Sequence, residues 1–323
     1  SRCHANPALA FLRERAESSK PNMFEQAYAL APPLTTHAPA SAHAYAQATS
    51  DFNPHNTNAY VSDLTGLPQP VMQGLWTSAS CRQLIERHVA QGSPTRVRSY
   101  TAEFLGMVHP GDQLETELHH VGMHDGRLLV SGQTRNARTG ELVLTCSAQV
   151  AQPKTVYMFT GQGSQEQGMG MDLYDRSPAA RAVCERADEH MRTRFGFSIL
   201  DIIRNNPKQC TVHFGGQRGT QIRKNYQLFT RRVDTDAGPK TVPLFPEITD
   251  TARSYTFQSP TGLLNATQFA QPAIMLFDIM VTAEMRAQGV FDEDAMFVGH
   301  SLGEYGALAA FRVMALEDII DIT

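Results

Sequence analysis

Near the end of the 323-residue chain, Val298-Gly299-His300-Ser301-Leu302-Gly303-Glu304-Tyr305 narrows the possible folds more than any other stretch. Phe297 and Val298 close a short apolar run that reads as a buried strand. Ala307, Leu308, Ala310 and Phe311 then recur at helical spacing. The G-x-S-x-G between them is the pattern of a nucleophile elbow: small residues on either side of a serine let the backbone turn sharply from strand to helix. Ser301 Oγ would then project from the tip with a helix N-terminus behind it. A serine needs a base to take its proton and donors aimed at the developing oxyanion, and the amide of Leu302 is the natural first donor. A tight strand-to-helix turn that carries a serine by coincidence fits the same five residues.

The chain is long enough for two domains. With 41% apolar and 19% charged residues it has the composition of a folded globular protein. A net charge of −4 gives no global pull towards nucleic acid or an anionic membrane. No apolar run reaches the roughly 18 residues of a membrane span. Arg13 and Arg15 interrupt any signal-peptide core, and the absence of an initiator methionine, with an end at Thr323 in a helical pattern, points to a portion of a longer polypeptide. Five scattered cysteines without a C-x-x-C pair read as reduced thiols of a cytosolic protein. The twelve histidines show no metal-ligand spacing.

Along the chain, residues 1–30 read as one or two helices, and 31–50, rich in Ala, Pro, Ser and His, as a linker or an extended segment packed on a neighbour. Asp51 to Pro54 reads as a loop, with Thr57 able to start a helix towards Leu64. An amphipathic helix opens at Met72-Gln73-Gly74-Leu75-Trp76 and runs through Val89. Four β-rich segments follow, about 95–107, 112–124, 127–137 and 141–150, with hairpin signals at His124-Asp125-Gly126 and Thr139-Gly140. Val156-Tyr157-Met158-Phe159 is an apolar strand entering the turn Gly161-Gln162-Gly163-Ser164-Gln165. No G-K-[ST] follows, which argues against a phosphate loop. Phe195 to Ile203 reads as a helix start. Residues 207–255 are polar and basic, with Phe214, Phe229 and Phe245 far apart, and read as a solvated insertion rather than a dedicated binding patch. Thr267-Gln268-Phe269-Ala270-Gln271-Pro272-Ala273 precedes an apolar helix with Pro272 at its first position.

Asp51-x-Asn53-Pro54, Gly74-Leu75 at the head of the long helix and the meander after it resemble the MaoC-type hydratase/dehydratase hot-dog fold. Leu84-Ile85-Glu86 and His120-Val121-Gly122-Met123 extend the likeness to the dehydratase region of the fungal-type fatty acid synthase β subunit. The G-Q-G-S-Q turn, the T-Q-x-x-Q-P-A segment and the G-H-S-L-G-E elbow, in that order, resemble a malonyl-type acyltransferase, and His213-Phe214-Gly215-Gly216 in the basic insertion also matches the fungal subunit. The resemblance implies an α+β hot-dog domain followed by an α/β acyltransferase domain of which only the front part is present. Its boundaries would be 1–30 for a helical remnant, 31–152 for the hot-dog domain and 153–323 for the acyltransferase, with an insertion at about 207–260.

It further implies transfer of malonyl and palmitoyl groups between CoA and acyl carrier protein through an acyl-serine at Ser301. Gln162 and Leu302 would supply the oxyanion amides, with Gln271 near the nucleophile. His300 is not expected to be the base, because neighbours on a sharp elbow point in different directions. The resemblance puts the base histidine and the malonyl-binding arginine after Thr323, so negligible turnover is expected of the chain alone. In the hot-dog region the family's D-x-N-P-x-H reads Asp51 to Asn56, with a histidine one place earlier at His55, and its H-G is Gln73-Gly74. Asparagine shuttles no proton near neutral pH, so either His55 comes opposite Asp51 or this site is impaired. A hot-dog unit of this kind also takes a second unit to complete its substrate tunnel. Implied partners are acyl carrier protein, malonyl-CoA and palmitoyl-CoA, the other synthase domains and the α subunit. No cofactor is expected in this chain, FMN and NADPH belonging elsewhere in the synthase. Two other readings remain: a serine hydrolase with water as acceptor, and a non-catalytic structural piece of the complex.

Overall fold

The computed structural model describes residues 20–235 and 238–323, so the helical reading of the residues before Lys20 lies outside them. The chain divides into two compact units. One runs to Thr155 and includes Gln288–Glu293; the other holds Val156–Ala287 and Asp294–Thr323.

The first unit is a hot-dog fold. Strands β1 (Asn22–Ala29), β2 (Leu34–His37), β3 (Val97–Phe104), β4 (Gln113–His124), β5 (Arg127–Asn136) and β6 (Leu142–Ala151) form one antiparallel sheet in the order β1-β4-β5-β6-β3, with β2 also on β4. Helices α1 (His43–Thr49), α2 (Pro54–Thr57) and α3 (Ala59–Leu64) precede the long α4 (Gly74–His88). On α4, Thr77, Cys81, Leu84 and Ile85 are buried, the spacing of one helical face. Against it β4 turns in alternate residues, Leu114, Thr116 and Leu118, as a sheet with one wet face requires. Asp125 and Gly126, at φ 47° and 72°, supply the tight turn between β4 and β5.

Two expectations are corrected here, and one is decided between its alternatives. Residues 22–29 form a strand, not a helix, although Met, Glu, Gln and Ala favour helix: the backbone of β4 beside them must be paired, and a strand does it. Of the two readings of 31–50, the extended segment packed on a neighbour is the one seen at β2, which pairs with β4, and α1 after it buries Ala46. The helix towards Leu64 starts from Asn58, not Thr57, because the Asn58 side chain accepts from the amides of Tyr60 and Val61.

In the second unit β7 (Val156–Phe159) pairs in parallel with β12 (Met296–Gly299), placing Gly299 beside Phe159. Around them lie α5 (Met171–Arg176), α6 (Pro178–Arg194), α7 (Ile199–Asn205), the long α9 (Thr267–Ala287), α10 (Leu302–Ala310) and α11 (Leu316–Ile322). The strand expected to be buried is not: Val156, Met158, Met296 and Val298 are exposed, while Tyr157, Phe159 and Phe297 pack together on the other face. Pro272 sits inside α9, which begins at Thr267, rather than at its first position.

The basic insertion is also not a solvated loop. It folds as β8 (Gln209–His213) paired with β11 (Ser254–Gln258), helix α8 (Gly216–Gln227) and the hairpin β9 (Thr230–Thr235)–β10 (Gly238–Pro243). Its scattered aromatics converge: Tyr226 lies 5.4 Å from Phe245 and 5.9 Å from Phe257, centroid to centroid, and Phe257 lies 5.3 Å from Phe269 of α9. The buried Tyr226 hydroxyl donates to the carbonyl of Phe195 at 2.9 Å. Each ring is 12 or more residues from the next in sequence, so helical or strand periodicity could not reveal the cluster.

Ile85, at 0% exposure, is the wrapped helix's deepest contact with the sheet. Ile85→Ala is expected to destabilise the first unit by about 2–5 kcal/mol, read as a lower urea midpoint at unchanged m-value.

Candidate active site

The second unit builds its candidate site from the β7–β12 pair. Beyond Gly299 the backbone reverses at Ser301, which holds φ 55° and ψ −119°, a conformation that costs a non-glycine residue on the order of 1–3 kcal/mol. What holds it there is local. The Ser301 amide donates to Glu304 Oε1 at 3.2 Å, the Gly303 amide to the His300 carbonyl at 3.0 Å, and the Glu304 amide to the Ser301 carbonyl at 3.1 Å. The glycines are required by close approach. A Cβ on Gly299 would fall 2.0 Å from the Gly303 carbonyl oxygen, and one on Gly303 would fall 2.4 Å from that of Phe159. Arg286 of α9 donates to the Ala310 carbonyl and so secures the far end of α10. Ser301 is left exposed at the N-terminus of α10, while Leu302 behind it is buried.

The loop after β7 runs past this turn, with a Cβ on Gly161 placed 3.5 Å from the His300 carbonyl oxygen. Gln162 follows. Its side-chain NH₂ donates to Thr267 Oγ1 and its carbonyl accepts from Gln271 Nε2, both at 3.1 Å. Gln162 and Gln271, singled out separately in the sequence, are thus directly bonded. Thr267 and Glu304 lie inside the T-Q-x-x-Q-P-A and G-H-S-L-G-E motifs, which by themselves assign neither a partner. Glu304 stands three residues after Ser301, the capping-box spacing that signals its bond to the turn; no local spacing signals the bond from Gln162 to Thr267. His300 is exposed, and among the described residues no histidine is hydrogen-bonded to Ser301.

Behind the elbow helix, Asp278 of α9 is 9% exposed, and its Oδ2 has no hydrogen-bond partner. A Cβ on Gly306 of α10 would sit 2.7 Å from that oxygen. Burial pushes the Asp278 carboxyl up to about 7.

The first unit carries the second candidate site, a cavity of about 330 Å³ lined by Asp51, His55, Asn56, Gln73, Gly74 and Phe104 among others. At the D-x-N-P loop the chain enters α2 at Pro54. Asn56 turns inward and its side-chain NH₂ donates to the Val71 carbonyl at 2.7 Å, while His55 stays half-buried on the cavity wall with Asp51. Gln73 is buried and donates to the Asp51 carbonyl at 3.2 Å. At Gly74 a Cβ would press on the Phe104 ring at 3.2 Å. The two amides therefore brace the loop, and Asp51 and His55 are the titratable side chains among the lining residues. Among the described residues no group of three or more His, Cys, Asp or Glu could hold a metal ion, and no helix is long and apolar enough to cross a membrane.

A helix wrapped by an antiparallel sheet, followed by an α/β unit with a strained serine at a strand-to-helix turn, defines a hot-dog domain joined to an acyltransferase-type domain. Residues 156–322 match the acyl transferase domain family and residues 19–141 the MaoC-like domain family. The chain belongs to the acyl transferase family and carries a MaoC-like domain ahead of it. It is 42% identical over 325 residues to the fatty acid synthase subunit beta of Saccharomyces cerevisiae, covering 99% of this chain and 16% of that one. To the subunit beta of Schizosaccharomyces pombe it is 40% identical over 334 residues, covering 99% and 16%. The chain thus spans about one-sixth of the length of these relatives.

The sign of the Asp278 effect follows from linkage. Between its unfolded value near 4 and about 7 the folded chain keeps a proton that the unfolded chain has released, so stability falls as pH rises through that window and is level above it. Asp278→Asn is expected to remove this part of the slope, measured as the difference in urea midpoint between variant and parent at pH 4.5 and at pH 7.5.

Proposed function

We propose that this chain is the dehydratase and acyltransferase portion of a fungal-type fatty acid synthase β subunit. In this reading Ser301 Oγ attacks the carbonyl of an acyl-CoA thioester, malonyl-CoA in loading and palmitoyl-CoA in the reverse of release. The amides of Gln162 and Leu302 receive the oxyanion, CoA leaves as the thiol, and the acyl-serine then passes to the phosphopantetheine thiol of acyl carrier protein. The observation that carries the reading is the backbone of Ser301. A non-glycine residue held at φ 55°, ψ −119° by Glu304 and by two close glycine contacts is strain kept at an exposed position. Gln271 acts on Gln162, fixing the side chain so that the loop amide stays beside the turn.

The cavity of the first unit would take a 3-hydroxyacyl thioester, with Asp51 and His55 sharing the proton transfers that remove water and Gly74 at the helix head leaving room for the thioester. The chain would work in the cytoplasm without a cofactor of its own, beside the other synthase domains and the α subunit.

With radiolabelled malonyl-CoA, the parent chain is expected to acquire hydroxylamine-labile label, Ser301→Ala to lose it entirely, and His300→Ala to keep it. Label retained in Ser301→Ala would end the assignment, and loss in His300→Ala would make that histidine the base. For the first unit, His55→Ala is expected to lower 3-hydroxyacyl-CoA dehydration by about 10²-fold or more. An unchanged rate would remove His55 from the reaction.

A further inference from the structure

Two cysteines that neither candidate site uses meet where the wrapped helix crosses the sheet. Cys81 of α4 and Cys146 of β6 are 65 residues apart in sequence, and their sulfurs lie 3.4 Å apart. Both are buried, at 1% and 7% exposure. The room they share comes from the neighbouring strand. Gly132 of β5 stands opposite Cys146 in the sheet register. A Cβ there would lie 2.6 Å from Cys146 Sγ and 3.7 Å from Cys81 Sγ. Ordinary close packing would put side-chain carbon in that space; here it is given to two sulfurs in contact.

We propose that Cys81 and Cys146 are a modification site, a buried dithiol that hydrogen peroxide closes to a disulfide, tying the central helix to the sheet. Cys81 is the attacking sulfur. The hydrogen bond shared with Cys146, joined by contacts with the Thr134 and Tyr100 hydroxyls, holds the Cys81 thiol below its ordinary range against the opposing effect of burial. The same bond to Cys81, with burial, pushes the Cys146 thiol up. Cys81 thiolate attacks one peroxide oxygen, the O–O bond breaks, and the departing oxygen leaves as water after taking a proton, giving Cys81 sulfenic acid. The Cys146 sulfur then attacks the sulfenic sulfur and displaces its hydroxyl, which leaves as a second water with the Cys146 proton. Two thiols are oxidised and one peroxide is reduced. An S–S bond of about 2.05 Å asks the two sulfurs to close by roughly 1.4 Å.

Thr77, one turn before Cys81 on α4, and Val143, three residues before Cys146 on β6, both line the cavity that holds Asp51 and His55. The cross-link would therefore join two walls of that cavity. It would also close a long loop in the unfolded chain, the situation in which a disulfide stabilises most in the chain-entropy account. Cys184 is buried and Cys210 half-buried, both in the other unit.

The test treats the full chain with hydrogen peroxide, blocks remaining thiols, digests without reductant and maps the peptides by mass spectrometry. The expected product joins the Cys81 and Cys146 peptides, lighter by two hydrogens than their sum and separated again by dithiothreitol, and the oxidised chain unfolds several degrees higher than the reduced one. Recovery of both cysteines as blocked thiols from chains whose Cys210 is fully oxidised would overturn the proposal. So would sulfinic acid at Cys81 without the cross-link. In Cys146→Ala the Cys81 sulfenic acid should persist and be trapped by dimedone, with no rise in unfolding temperature; a rise of the same size there would also overturn it.

Discussion

The second unit depends on one close approach, the passage of Gly303 over the carbonyl of Phe159. That contact leaves no space for a Cβ, and it sets the first turn of α10 directly on the parallel pair β7–β12. Everything at the elbow is a consequence. The chain must reverse within two residues of Gly299, so Ser301 is driven into a region of backbone space that side chains avoid, and the Glu304 carboxylate holds it there from within the same helical turn. The G-Q-G-S-Q loop follows β7 and must leave the sheet beside the same turn. That is why Gln162 and Ser301, 139 positions apart in number, belong to one neighbourhood.

The first unit solves a different problem. Its sheet has one face to bury and one helix to bury it on, so Thr77, Cys81, Leu84 and Ile85 of α4 meet Leu114, Leu118, Leu144 and Cys146 of the strands. The cavity forms at the helix head, where Gly74 keeps side-chain bulk away from Phe104. Asn56 stands where the resemblance puts the histidine of the D-x-N-P-x-H loop and Gln73 where it puts the histidine of H-G, and the structure gives both a bracing role through the carbonyls of Val71 and Asp51. The titratable side chains lining that cavity are the exposed Asp51 and the half-buried His55.

Both units show polar groups placed by backbone requirements rather than by side-chain attraction. The Ser301 amide needs an acceptor because the turn leaves it none in the strand ladder, and Glu304 provides one. Asp278 shows the opposite case. Its carboxyl lies where α9 and α10 pack closely, with Oδ2 unpartnered, and the energetic result is a raised affinity for a proton rather than an ion pair.

Local pattern was enough to read the elements whose evidence lies within a turn or a strand length. These include the helix at Gly74–His88, the meander with its Asp125-Gly126 turn, the glutamine-rich loop after β7 and the serine turn at 301, because spacing, glycine and turn chemistry act over a few residues. Tertiary structure alone decided what depends on distant partners. It turned helix-favouring residues 22–29 into a strand against β4, and it gathered Tyr226, Phe245, Phe257 and Phe269 into a core for an insertion that looked solvated. It bonded Gln271 to Gln162 and set Cys81 against Cys146. The reason is physical: burial and backbone pairing are settled by whichever surface arrives from elsewhere in the chain, and a sequence window contains no information about that surface until the chain has folded around it.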